Sequence, residues 1–232
     1  MNLLDLPLGS RRYLDIARQL AAGIESGRYR AGERLPPERE LAQTLDVSRT
    51  TVREALLALE IMRYIEIRVG SGVFVLDLAH RSRSDPGEPQ GASPSDVLAS
   101  RRLVEAETAA LAAQQVTEPQ IAAMHITIDE MAATVDDVAR FDAADAQFHS
   151  LIAGAAGNDV LAGIVTQLWR MRESDMWAFW YDQTRSVANR QRSVEDHRTI
   201  LRAIERGLPD AARTAMQAHL DVLADRFYQL KL

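Results

Sequence analysis

Cysteine is absent from these 232 residues, so neither a disulfide framework nor a thiolate metal site is open to the chain. Lysine is nearly absent, since Lys231 is the only one and arginine carries the rest of the positive charge. Aromatic side chains make up just 6%, so any local gathering of them stands out. No uncharged apolar run approaches the roughly 18 residues that cross a bilayer, which predicts no membrane span. The first nine residues carry Asp5 where a signal peptide needs positive charge, and they lack a long apolar core. Together these absences predict a cytoplasmic protein. Positive charge is also the minority sign: the net charge is -6, so the chain as a whole repels a polyanion. Any nucleic-acid binding needs a local group of arginines.

What is present is enough for two modest domains, with 47% hydrophobic content to build their cores. Leu14, Ala17, Leu20, Ala21 and Ile24 form one apolar stripe, which predicts a first helix from Ser10, its cap, to Gly27. Arg34-Leu35-Pro36-Pro37 then reads as a turn. Glu38 to Ala42 starts a short helix whose acidic residues suit a positive helix N-terminus. After the Leu45-Asp46-Val47 turn, Ser48 stands as an N-cap. Val52, Ala55, Leu56 and Leu59 follow it at helical spacing. Two short helices joined by a turn make a helix-turn-helix. The second presents Arg49, Thr50, Thr51 and Arg53 in its first turns, where a recognition helix meets base edges and phosphates. Residues 64–68 alternate with a period near two, residues 69–72 turn, and residues 73–76 return. A β-hairpin directly after a recognition helix is a wing.

These residues closely resemble the GntR family of bacterial transcription regulators. The likeness rests on Arg34-Leu35-Pro36, Glu38-Arg39-Glu40-Leu41-Ala42, Val47-Ser48-Arg49, Val52-Arg53-Glu54-Ala55-Leu56 and Gly70-Ser71-Gly72-Val73-Phe74-Val75. The resemblance implies DNA contacts at Arg39, Arg49 and Arg53, with Gly70 letting the wing backbone into the minor groove. Arg34, Ser48, Thr50 and Thr51 complete the expected DNA-binding set. A lone winged helix binds weakly, which predicts a homodimer on a palindromic double-stranded operator; the resemblance implies repression as the mode of regulation. Three departures from the family pattern stand out. Pro37 occupies the place of a capping serine, Asp46 that of a turn glycine, and Arg63 that of a glycine after the recognition helix. Arg63 either strains the approach to the wing or adds a phosphate contact.

Residues 80–94 hold three prolines and no periodicity, which predicts a flexible linker over 78–94 between a winged helix (1–77) and a second domain (95–232). Six further helices follow: 95–115, one opened by Thr117-Glu118-Pro119, 135–155, 158–180, 184–206 and 210–231. The predicted fold class is therefore mainly α: an N-terminal winged helix-turn-helix plus a C-terminal antiparallel all-α bundle of six helices.

Asp145 and His149 lie four residues apart, on one helix face, and His197 and His219 each interrupt an apolar helical run. An aspartate and three histidines can hold a divalent transition metal and leave a position open. Each residue alone also fits a surface pair or a hydrogen-bonded core histidine. The second half resembles the FadR-type effector domain of the same family. Its matches are Arg101 to Glu105, Asp145 to His149 with Gly157-Asn158, His197 to Gly207, and Ala211 to Leu220. That resemblance implies that Asp145, His149, His197 and His219 bind a zinc- or nickel-like ion, with a small carboxylate effector completing the shell; the ligand chemistry leaves zinc, nickel and manganese open, zinc being the leading choice. It implies effector contacts at Arg101 and Asn158. Arg101 fits equally a helix salt bridge with Glu105, and Asn158 fits a helix cap. Trp169 to Arg172 and the cluster Met176 to Tyr181 read as core, cavity lining or dimer seam, and His125 as a surface residue. Two rivals remain: a purely structural metal, and a metal-dependent hydrolase. The hydrolase lacks an evident general base and leaves the winged helix unexplained.

Overall fold

The computed structural model describes residues 12–228 except 69, 81–86, 88 and 90. These residues fall into two compact units, 12–93 with 174–180, and 94–173 with 181–227. The expected Ser10 cap, Val69 of the wing turn, much of the 78–94 linker and the end of the last helix at Lys231 lie outside the described residues.

In the first unit α1 (Arg12–Glu25), α2 (Glu38–Leu45) and α3 (Arg49–Ile61) precede β1 (Ile65–Arg68) and β2 (Gly72–Val75). The stripe of α1, with Leu14, Ala17, Leu20 and Ile24, packs on α3, which buries Val52, Ala55, Leu56 and Leu59. Each large side chain buried in this way contributes roughly 1.5–3 kcal/mol. The hairpin is antiparallel, with Ile65 opposite Val75 and Arg68 opposite Gly72. The connector adds a third rail, because Leu35 N–H donates to Val73 O at 2.8 Å and Val75 N–H to Glu33 O at 2.9 Å.

All three departures have visible consequences. Pro37 offers no side-chain cap to α2, whose first-turn acids Glu38 and Glu40 remain as the compensation at its positive end. Asp46 sits at φ 52° and Arg63 at φ 61°, so both take the left-handed backbone that a glycine would adopt freely.

The second unit is helical throughout: α4 (Pro94–Gln115), α5 (Glu118–Ala133), α6 (Val138–Ala155), α7 (Asp159–Arg170), the end of α8 (Asp175–Thr184), α9 (Val187–Glu205) and α10 (Pro209–Tyr228). Alanines 106, 109, 112 and 113 of α4 allow close approach of neighbours, and Met124, Met131, Phe148, Ile152, Ile200, Ile204 and Met216 fill the space between. Seven helices therefore stand among the described residues where six were expected. The predicted 158–180 helix breaks into α7 and α8 at a 3-10 turn, Met171–Glu173. Ser174 restarts the chain, its Oγ accepting from Trp177 N–H at 3.3 Å. Ser186 likewise caps α9, which delays that helix by three residues from its expected start.

Candidate DNA-reading face and metal centre

Ser48 caps α3: its Oγ accepts from Thr51 N–H at 3.0 Å and lies 2.8 Å from Thr51 Oγ1. This cap directs the first turn of α3 outward, with Arg49 68% exposed and Thr50 and Thr51 half-buried. Arg34 and Arg39 are exposed as well. Gly70 takes φ 76° in open space at the wing tip. Gly72 meets a different demand: a Cβ there would stand 2.3 Å from Arg34 Nε, so the arginine lies across the bare backbone of the wing.

Arg53 corrects the expectation. It is 5% exposed, and its Nε and Nη2 each reach Glu38 at 2.7 Å in a two-pronged pair. Glu38 also draws Arg49 Nη2 to 3.6 Å. The guanidinium of Arg53 thus ties α2 to α3 rather than facing outward. Its side chain points back across the helix-turn-helix because a carboxylate from the preceding helix awaits it, which spacing within α3 does not reveal.

In the bundle, Asp145 and His149 project from α6, His197 from α9 and His219 from α10. One donor atom from each lies within 4.8 Å of all the others. Nε2 of His149 and His197 are 3.3 Å apart, and Asp145 Oδ1 is 3.6 Å from the first and 3.4 Å from the second. Ligands about 2.0–2.2 Å from one shared ion sit about 3–4.4 Å from one another, so these three spacings fit a single divalent ion, and the His219 donor lies within 4.8 Å of them. Asp145 Oδ1 and His197 Nδ1 are buried without a hydrogen-bond partner.

The protonation states suit metal ligation as well. Burial, then the charge of His219, holds the His197 imidazole well below its ordinary pKa; burial also lowers His219. Burial would raise Asp145, but His149, His197 and Arg172 packed around it keep it well below the carboxylate range. These are two neutral imidazoles and a carboxylate, the forms that bind metal. His149 is raised instead, since Glu105 and Asp145 outweigh its burial. Its Nδ1 stands 2.5 Å from Glu105 Oε2, so Nε2 is the nitrogen left for the centre. His219 has a looser counterpart in Asp196, whose Oδ2 stands 3.5 Å from its Nδ1 without a hydrogen bond between them. Carboxylates behind ligand histidines orient the rings and raise their basicity.

Arg101 is 1% exposed. It makes the helix salt bridge with Glu105 at 2.6 Å, and its Nη1 is buried without a partner. It lines a cleft together with Asp145, Arg172, Tyr181 and His219. Arg101 and Arg172 both approach the Trp169 ring, at 4.3 Å and 4.0 Å, and that ring lies 5.0 Å from His149. The aromatic cluster therefore divides. Trp169 stacks at the site, Tyr181 lines the cleft, and Met176, Trp177 and Trp180 are buried in the other compact unit. Asn158 is exposed and spends its Oδ1 on capping α7 through the amides of Val160 and Leu161, both at 3.1 Å. It does not line the cleft, so its expected effector role is corrected to a cap. His125 is exposed and contacts Glu205.

Sequence reasoning missed Glu105 as a partner of His149, Asp196 behind His219, and Arg172, whose Nη1 is 3.4 Å from Asp145 Oδ2. Asp196 adjoins His197 in the chain, but the histidine it serves lies on another helix.

Comparison with known proteins supports both halves. Residues 12–75 match the model described as bacterial regulatory proteins, gntR family, and residues 96–222 match the FCD domain. The chain is 34% identical over 225 residues to the Uxu operon transcriptional regulator of Escherichia coli (strain K12), covering 94% of this chain and 88% of that protein. It is 36% identical over 217 residues to the Exu regulon transcriptional regulator of the same strain, covering 91% and 82%. The HTH-type transcriptional repressor NanR of Edwardsiella tarda is 29% identical over 234 residues, with 95% and 87% covered. The solved structure of E. coli McbR/YncC shares the fold with TM-score 0.53 at 19% identity, over 94% of this chain and 97% of that one. A winged helix with arginines at its reading face, followed by an FCD bundle, makes this chain a member of the GntR family, FadR-type: a DNA-binding transcription regulator and not an enzyme.

Proposed function

We propose that the chain is a cytoplasmic homodimeric repressor that leaves a palindromic operator when a small organic acid binds beside a divalent metal in the bundle. Four donor atoms within 4.8 Å, next to the buried and unpartnered Nη1 of Arg101, are the observation that carries this reading. Asp145, His149, His197 and His219 would hold the ion; one oxygen and three nitrogens suit zinc, and suit nickel or manganese as well. The bound ion supplies an open position for a carboxylate oxygen. Arg101 aims its free guanidinium edge at the same acid, and Glu105 fixes that guanidinium and the His149 ring in one arrangement. Trp169 covers both. On the DNA side Arg49, Thr50 and Thr51 read base edges, while Arg34, Arg39 and Gly70 serve phosphates and the minor groove. The relatives named as operon and regulon regulators, and one as a repressor, support repression.

A thermal-shift screen of small carboxylates on zinc-loaded and chelator-stripped protein tests this reading. Metal bound at a thousand times its Kd adds about 4 kcal/mol of stability, so stripping lowers Tm. An acid that raises Tm only with metal present, and releases operator DNA in a retardation assay, is the expected result. A response identical in stripped protein leaves the metal a structural part and removes it from regulation.

A further inference from the structure

The cleft beside the metal ligands is more cationic than one carboxylate requires. Arg101 and Arg172 line it near Asp145; Arg185, Arg190 and Arg226 line it as well, and Asp145 is the single acid among the described lining residues. Arg185 is partly neutralised by Asp182, 2.5 Å away. Arg190 and Arg226 form no ion pair with a carboxylate among the described residues. Arg190, 7% exposed, donates from Nε to Val135 O at 2.5 Å, and Arg226 donates from Nη2 to Asn189 O at 3.4 Å. Asp142 is near enough to feel the charge of Arg190, but its Oδ1 accepts the Tyr181 hydroxyl at 2.7 Å. Burial lowers the pKa of Arg226 by more than the nearby Asp196 raises it, as expected for a cation withdrawn from water and only partly balanced. An arriving anion relieves that cost. Tyr181, Thr184 and Ser193 also line the cleft; their hydroxyl protons go to Asp142, Tyr181 O and Asn189 O, which leaves the oxygens to accept from a ligand that carries hydroxyls rather than an alkyl chain.

We infer that the ligand of this cleft is a hydroxylated dianion, with one carboxylate at the Arg101 side and a second anionic group, carboxylate or phosphate, held by Arg190 and Arg226. The inference rests on the effector reading above and narrows its chemistry: a plain monocarboxylate leaves the second pair of guanidinium groups unanswered.

Matched acids on one carbon skeleton test it by titration calorimetry with the zinc-loaded full chain. Gluconate carries one anionic end; glucarate adds a carboxylate at the other end and 6-phosphogluconate a phosphate. Galactonate and galactarate repeat the comparison with another hydroxyl configuration. At least one dianion is expected to bind about tenfold or more tightly than its monoanion, since two charge-assisted pairs separate them. Arg226→Gln is expected to erase that advantage while leaving monoanion affinity and zinc content unchanged. Should that variant fail to fold by circular dichroism, Arg226→Met removes the charge, keeps an unbranched stem and carries the same comparison. Whichever dianion gains affinity tells carboxylate from phosphate. Equal binding of monoanions and dianions, or an advantage that survives the Arg226 variant, overturns this inference and leaves the effector reading standing. No binding by any of the five acids also overturns this inference, and the effector reading is then decided by the carboxylate screen.

Discussion

Glu105 holds His149 and Arg101 with one carboxylate: Oε2 stands 2.5 Å from His149 Nδ1 and Oε1 2.6 Å from Arg101 Nε. Both partners and the acid itself are buried, and the two cations keep the Glu105 pKa below the ordinary carboxylate range despite burial. A metal ligand and an anion-facing arginine are therefore mechanically linked. Glu105→Gln keeps the shape but loses the charge. It is expected to weaken zinc by about 10–100-fold, the usual effect of losing an outer partner of a ligand histidine. Competition with a chromophoric chelator measures this; unchanged affinity would mean that Glu105 serves Arg101 alone.

Arg49 and Arg53 are one turn apart yet should respond differently. Arg49→Ala removes an exposed guanidinium, so operator retardation is lost while the unfolding free energy stays within about 1 kcal/mol of the wild type. Arg53→Ala leaves the Glu38 carboxylate, 9% exposed, without its two-pronged partner. Breaking a buried pair costs about 3–5 kcal/mol, so the winged helix melts earlier. Equal thermal stability of the two variants would return Arg53 to the DNA-reading set.

Arg63 holds a left-handed backbone at φ 61°. Arg63→Gly is expected to stabilise the first unit by about 1 kcal/mol, because glycine adopts this region without the Cβ clash. Thermal melting reads the strain. Retardation reads the other role weighed for this residue: weaker operator binding alongside higher stability would show that strain and a phosphate contact coexist.

Glu60 supplies a pH dependence in the wing. Its Oε1 accepts Ile67 N–H at 2.8 Å, and burial, reinforced by Glu66, raises its pKa from 4.5 to about 7. The folded value exceeds the unfolded one, so its contribution is fully present below pH 4.5 and fades as pH rises through about 7. Glu60→Gln keeps the carbonyl acceptor without the charge. It should be more stable than wild type at pH 8 by roughly 1–2 kcal/mol, after allowance for partial solvent screening, and match it near pH 5. A constant difference across that range would exclude ionisation of Glu60 as its origin.

The sequence by itself determined the winged helix, the helical bundle and which four residues were candidates for a metal. Those properties rest on local patterns: the Ser48 cap, the apolar stripe of α1, the alternation of residues 64–68, and a carboxylate and imidazole four positions apart. It also showed that Pro37, Asp46 and Arg63 break the family pattern, though the left-handed φ of the last two had to be observed. Tertiary structure alone decided what each charged side chain meets. Arg53 turns inward because Glu38 comes from another helix, and Glu105 reaches His149 because α4 packs against α6. The break at residues 171–174 depends on a serine hydroxyl finding an amide three residues on, a weak signal inside a strongly apolar stretch. Backbone periodicity is written locally, whereas the partner of a long side chain is chosen by whichever charge the fold brings within reach.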